Sequence, residues 1–173
     1  MTLSNFLSKL NWRLILIHFV ATWFIFHALW QLGYLYDYDF LEDIMHHNFK
    51  SISNHEGPTV GERLSTLLLR AILIGLVGVL ISFAISLLLS AKYKWYWVNS
   101  SIVFFIAFIT CCFHRFYWSH IRFIFQAPGS LFKLDWANIL ANGLVMLTIG
   151  LLLFFNKRLI RFINGNTPDH VNP

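Results

Sequence analysis

A chain of 173 residues with 57% hydrophobic and only 12% charged side chains cannot close a water-soluble surface, since soluble domains carry roughly a quarter charged residues. The net charge of +5 sits on residues that flank apolar runs, which excludes a nucleic-acid footprint. What remains is an integral membrane protein, rich in aromatics, with 18 Phe and 7 Trp.

About 20 apolar residues cross a hydrocarbon core of about 30 Å, and four runs reach that length. They are roughly Trp12–Tyr36, Leu64–Ala91, Tyr96–Trp118 and Ala137–Phe155. The expected fold is an all-α membrane protein: four transmembrane helices in a compact bundle, forming one domain over 1–173. Connectors 37–63 and 119–136 lie on one side, the turn 92–95 and the tail 156–173 on the other. The first run is bulky throughout and lacks a small-residue cleavage site, so it reads as a retained span rather than a signal peptide. Lys9, Arg13, Lys92, Lys94, Lys157, Arg158 and Arg161 fall on one side and outnumber Lys50, Arg63, Arg115, Arg122 and Lys133 on the other. The bias places both termini in the cytoplasm, in a bacterial inner membrane or its equivalent.

The first span carries His18 and His27, nine residues apart and therefore on opposite helix faces. After it, "DYDFLEDIMHHNFKSI" alternates acids with apolar residues and predicts a short amphipathic helix lying in the interface. Phe40, Ile44, Phe49 and Ile52 are then expected toward lipid. "NHEGPTVGER" breaks that helix. This connector holds the weak metal candidates His46, His55 and Glu56, to be joined by His114 or His120. Zinc takes three or four such ligands, but no spacing here matches a known zinc signature. A b-type haem held by His27 and His114 is the redox alternative.

The second span presents Ala71, Gly75, Gly78, Ser82, Ser86 and Ser90 at steps of three and four. Such a stripe of small residues is a seam along which two helices approach closely. It can face the bundle or a neighbouring subunit. Arg63 and Arg70 lie seven residues apart on one face near the start of the same span. An arginine inside hydrocarbon costs roughly 2.5–3.5 kcal/mol, so it snorkels or finds an anion such as Asp135, Asp43 or a lipid headgroup. At the end of the third span, "TCCFHRFYWSH" mixes belt residues with chemistry. Tyr117, Trp118 and Arg115 suit the membrane border, and Cys111 and Cys112 are expected buried. His114, His120 and Arg115 are the catalytic candidates that position alone does not explain. The fourth span opens with Asp135, Asn138 and Asn142 on one stripe. That stripe is either interhelical hydrogen-bond glue or the wall of a polar pocket.

No phosphate loop, nucleophile elbow or spaced carboxylate pair occurs. The favoured function is a non-enzymatic accessory, assembly or oligomeric subunit, with lipids and another membrane protein or a second copy as partners. A small channel along the fourth span is one alternative. A membrane enzyme or haem or metal redox protein is the other.

Overall fold

The computed structural model describes residues 9–46, 59–112 and 128–165. Among these residues the chain is helical and contains no strand. Helix α1 runs Trp12–Gly33 and passes through a 3₁₀ turn, Tyr34–Asp37, into the short helix α2, Tyr38–His46. Helix α3 spans Thr59–Tyr93 and α4 spans Val98–Cys112. A second 3₁₀ turn, Pro128–Leu131, precedes α5, Asp135–Phe155, and α6 covers Lys157–Ile163. The apolar stretches from Trp12, from Val60 and from Asp135 are long enough to cross a membrane. The described part of α4 is apolar but shorter, about 22 Å at 1.5 Å per residue. The expected third span up to Trp118 lies partly outside the described residues.

Local chemistry sets the helix ends. Asn11 stands in extended backbone and its side-chain oxygen accepts from the Leu14 N–H at 3.1 Å, capping α1. Lys94 takes a left-handed φ of 57° and closes the tight turn from α3 to α4. Asn156, again extended, ends α5 and accepts from the backbone N–H groups of Arg158 and Leu159, which starts α6.

α1 is the axis of the bundle. α3 and α5 pack along its length, and α4 fills the angle between α1 and α3. The stripe on α3 faces α1. A methyl group at Gly75 would lie 2.8 Å from the Phe26 ring, and one at Gly78 would lie 3.2 Å from the Ile25 carbonyl oxygen. Ala71, Ser82, Ser86 and Ser90 are buried. The seam is thus occupied within the chain by its own first helix. α5 meets the adjoining side of α1 through Gly143, Met146 and Gly150, packed on Ala21, Ile25, Ala28 and Leu32. Phe26, Val79, Ala107 and Cys111 close the middle between α1, α3 and α4. The outward residues Leu69, Leu73, Leu80 and Leu88 of α3, Phe105 and Ile109 of α4, and Leu144 and Leu152 of α5 are exposed. So much exposed apolar surface suits lipid and not water.

Two expectations are corrected. Phe40 does not face lipid: it is 2% exposed and packs with Val60 and Leu67. The reason is the length of α3, whose 35 residues make about 52 Å of helix against a core of about 30 Å. Its first turns overhang and give α2 an apolar wall. Cys112 is exposed, whereas Cys111 is buried, because adjacent helical residues point in different directions.

The bundle has two chemically distinct ends. One carries Lys9, Arg13, Lys92, Lys94, Lys157, Arg158 and Arg161 (the basic end). The other carries Asp37, Asp39, Glu42, Asp43, Glu62 and Asp135, which are all the acids among the described residues (the acidic end).

Candidate functional site

Two groups of polar side chains inside the bundle form connected arrangements. The first lies toward the basic end. His18 Nδ1 is 2.8 Å from the Ser86 hydroxyl. Ser86 donates to Ser100 at 2.8 Å, and Ser90 and Ser100 are hydrogen-bonded at 2.9 Å. The His18 ring also packs edge-on against Phe154 at 4.8 Å and Trp95 at 5.8 Å. This chain joins α1, α3 and α4 and is fully buried. Ser86 is its hub, so Ser86→Ala should strip a partner from both His18 and Ser100. Interhelical hydrogen bonds in membranes contribute about 0.6 kcal/mol on average and about 1.7 at most, so we expect a loss of about 1–2 kcal/mol. Ser101→Ala, outside the chain, is the reference in thermal unfolding in detergent.

The second group lies at the acidic end, around a cavity of about 540 Å³. The C-terminal turns of α1 supply Trp30 and Gln31, the 3₁₀ turn after it supplies Tyr34, and α2 supplies Leu41 and Met45. The opposite wall is Ser130 of the 3₁₀ turn with Asp135, Asn138, Ile139 and Asn142 of α5. Each element is placed by a specific contact. α2 is held by Phe40 against α3. The turn is held by Asn142, whose side-chain oxygen accepts from the Gly129 N–H at 2.6 Å. Asn142 also donates to Asn138 at 2.7 Å. Gly129 sits so tightly on these two amides that a Cβ there would collide with the Asn138 side chain and carbonyl. Asp135 occupies the first turn of α5, where a negative charge suits the helix dipole.

Gln31 differs from the asparagines. It is 7% exposed, and its Oε1 has no hydrogen bond among the described residues. A buried carbonyl without a donor costs about 1–3 kcal/mol. A group entering the cavity with an N–H or O–H would recover that cost. Sequence reading passed over Gln31, although a lone glutamine inside an apolar span is itself a signal of a polar neighbour.

No family model matches the chain, and comparison with curated proteins and with solved structures finds no match.

The remaining expected site residues are distributed as follows. Asp135, Asn138 and Asn142 come together on the cavity wall. Arg63 and Arg70 lie elsewhere, on α3 against the turn between α1 and α2. Arg63 makes a two-pronged pair with Asp37, at 3.0 and 3.2 Å, and lies 4.5 Å over the Phe40 ring. Arg70 lies 4.0 Å over the Tyr36 ring, a cation–π contact that carries it toward the acidic end. His27 is buried within a collar of Trp23, Phe26 and Trp30, with ring centroids 5.1–5.8 Å away. His55, Glu56, His114, Arg115, Tyr117 and His120 lie outside the described residues, as does the His46 side chain. Among the described residues no three His, Cys, Asp or Glu side chains are grouped to hold a metal ion.

Proposed function

We propose that this multi-pass membrane protein is a non-enzymatic component, an accessory or assembly subunit, that receives part of another molecule in the cavity at its acidic end. The observation that carries this reading is the Gln31 carbonyl, buried on the cavity wall with no donor among the described residues. The amides across from it are engaged in holding Gly129, so they shape the cavity. The occupant is therefore a hydrogen-bond donor with apolar surface, matched to Leu41, Met45 and Ile139. In the same reading the basic end and both termini face the cytoplasm, which the distribution of Lys and Arg supports. The lipid-facing leucines of α3 and α5 would then meet bilayer or a companion subunit, since the small-residue seam is already filled.

A channel along α5 is less well supported. Below the cavity the inner stripe of α5 continues as Met146, Gly150 and Phe154, all buried against neighbours. The test is purification of tagged full-length protein in mild detergent, with Gln31→Leu in parallel. We expect a stoichiometric companion, protein or lipid, with the wild type, and its loss with Gln31→Leu at unchanged yield. A clean monomer without companion in both preparations overturns the reading.

A further inference from the structure

We infer that α6, at the basic end, is a docking surface for anionic phospholipid headgroups of the surrounding bilayer. The inference rests on the opposite end of the molecule from the cavity and stands apart from its role.

The first ground is depth. Leu152 and Phe155 of α5 are exposed apolar residues of a spanning helix. Only Asn156 separates Phe155 from α6, so α6 begins where hydrocarbon gives way to headgroups. The second ground is rigidity. Asn11 Nδ2 donates to the Ile163 carbonyl at 2.9 Å, and Arg13 donates to the Phe162 carbonyl at 3.1 Å. Trp95 Nε1 donates to the Asn164 side chain at 2.6 Å, just past the helix. Ile160 and Ile163 are buried beneath. A cationic tail need not fold to satisfy the charge bias that orients a membrane protein. This one is folded, capped and tied to the N-terminus of α1.

The third ground is charge. With its apolar side buried, α6 leaves Lys157, Arg158 and Arg161 exposed. No Asp or Glu among the described residues lies at this end. The surface therefore fits an anion, and cations held in place in advance bind it at lower entropic cost. Phe162, Phe155 and Leu152 add exposed apolar area beside those cations. Charge next to apolar surface matches an amphiphile, an anionic head with acyl chains, better than free phosphate.

The full-length protein is reconstituted in phosphatidylcholine vesicles carrying a minor fraction of brominated phosphatidylglycerol or, in parallel, brominated phosphatidylcholine. Bromine quenches tryptophan on contact, and Trp12 and Trp97 are exposed near this end. The anionic phosphatidylglycerol should quench more efficiently than the phosphatidylcholine at equal fraction. A cation near the surface contributes about 1 kcal/mol, so the preference should be about fivefold for each cation that meets the lipid. The triple variant Lys157→Gln, Arg158→Gln, Arg161→Gln should bring the ratio close to one. Lys133→Gln, exposed toward the other end, should leave it unchanged. Raising ionic strength should shrink the wild-type ratio without any mutation. A wild-type ratio near one, a ratio that persists in the triple variant, or a ratio indifferent to salt each overturns the inference.

Discussion

Gly150→Leu is expected to break the contact between α5 and α1 and to cost more than any other substitution considered in this protein. Even the first carbon of a side chain there would lie 2.6 Å from Ile25 Cγ1 and 3.0 Å from the Ala21 carbonyl oxygen. The side chain of Ile25 can yield a little; the Ala21 carbonyl belongs to the α1 backbone and cannot. Overpacking a filled interior typically costs about 1–3 kcal/mol, and a rigid backbone neighbour puts Gly150→Ala in the upper part of that range. Leucine has no rotamer that avoids α1, so the helices must separate. The dispersion contacts that hold membrane helices together are then lost along the whole seam. Thermal unfolding in mild detergent should show a lowered midpoint for Gly150→Ala and no cooperative transition for Gly150→Leu. Gly61→Ala supplies the reference. It lies in α3 with open space around it and should be neutral or stabilising by at most about 1 kcal/mol. A Gly150→Leu protein that unfolds like the wild type would refute the packing described for α5.

The second large effect is expected at Asn142. Asn142→Leu removes the acceptor of the Gly129 N–H and the donor to Asn138 in one step. The Gly129 amide is left buried without a partner, at a cost of about 1–3 kcal/mol. Leucine must also fit where Gly129 already presses on both amides. We expect a total loss of about 2–4 kcal/mol, combining the orphaned amide with overpacking. Asn138→Leu should cost less, about 1 kcal/mol, because it removes a side-chain partner and leaves the bond to Gly129 in place. Hydrogen exchange separates the two. Exchange at Gly129 should accelerate strongly in Asn142→Leu and little in Asn138→Leu. Equal acceleration in both variants would mean that the turn is held by something other than Asn142.

These two sites mark what the sequence displayed and what it concealed. Apolar run length exposed the spans, because a helix in hydrocarbon must satisfy its own backbone and therefore needs a set number of residues. The steps from Ala71 to Ser90 exposed a packing face on α3. Periodicity names a face but not the neighbour it meets. That α1 lies at the centre, with α3 on one side and α5 on the other, depends on side chains far apart in the chain, such as His18 and Ser86. The seam on α5 has only Gly143 and Gly150 to announce it, too few to read as a pattern. The stripe from Asp135 to Asn142 was legible as hydrogen-bond glue or a pocket wall, whereas the opposite wall was not legible, since it comes from α1, the 3₁₀ turn after it and α2. α6 escaped notice because a seven-residue basic segment reads as a tail until Ile160 and Ile163 are seen to be covered.

The placement of α1 bears on how the protein is made. Synthesis delivers this helix before α3 and α5, yet it is the most enclosed of the three long spans and the least apolar. His18 takes its hydrogen bond and ring contacts from Ser86, Trp95 and Phe154, all translated after it. Asn11 reaches its partner Ile163 across 152 residues, so the bond closes only after α6 has left the ribosome. Biogenesis is therefore a waiting problem. α1 must be sheltered, by the insertion machinery or by transient lipid contacts, until α3 and α5 arrive to enclose it.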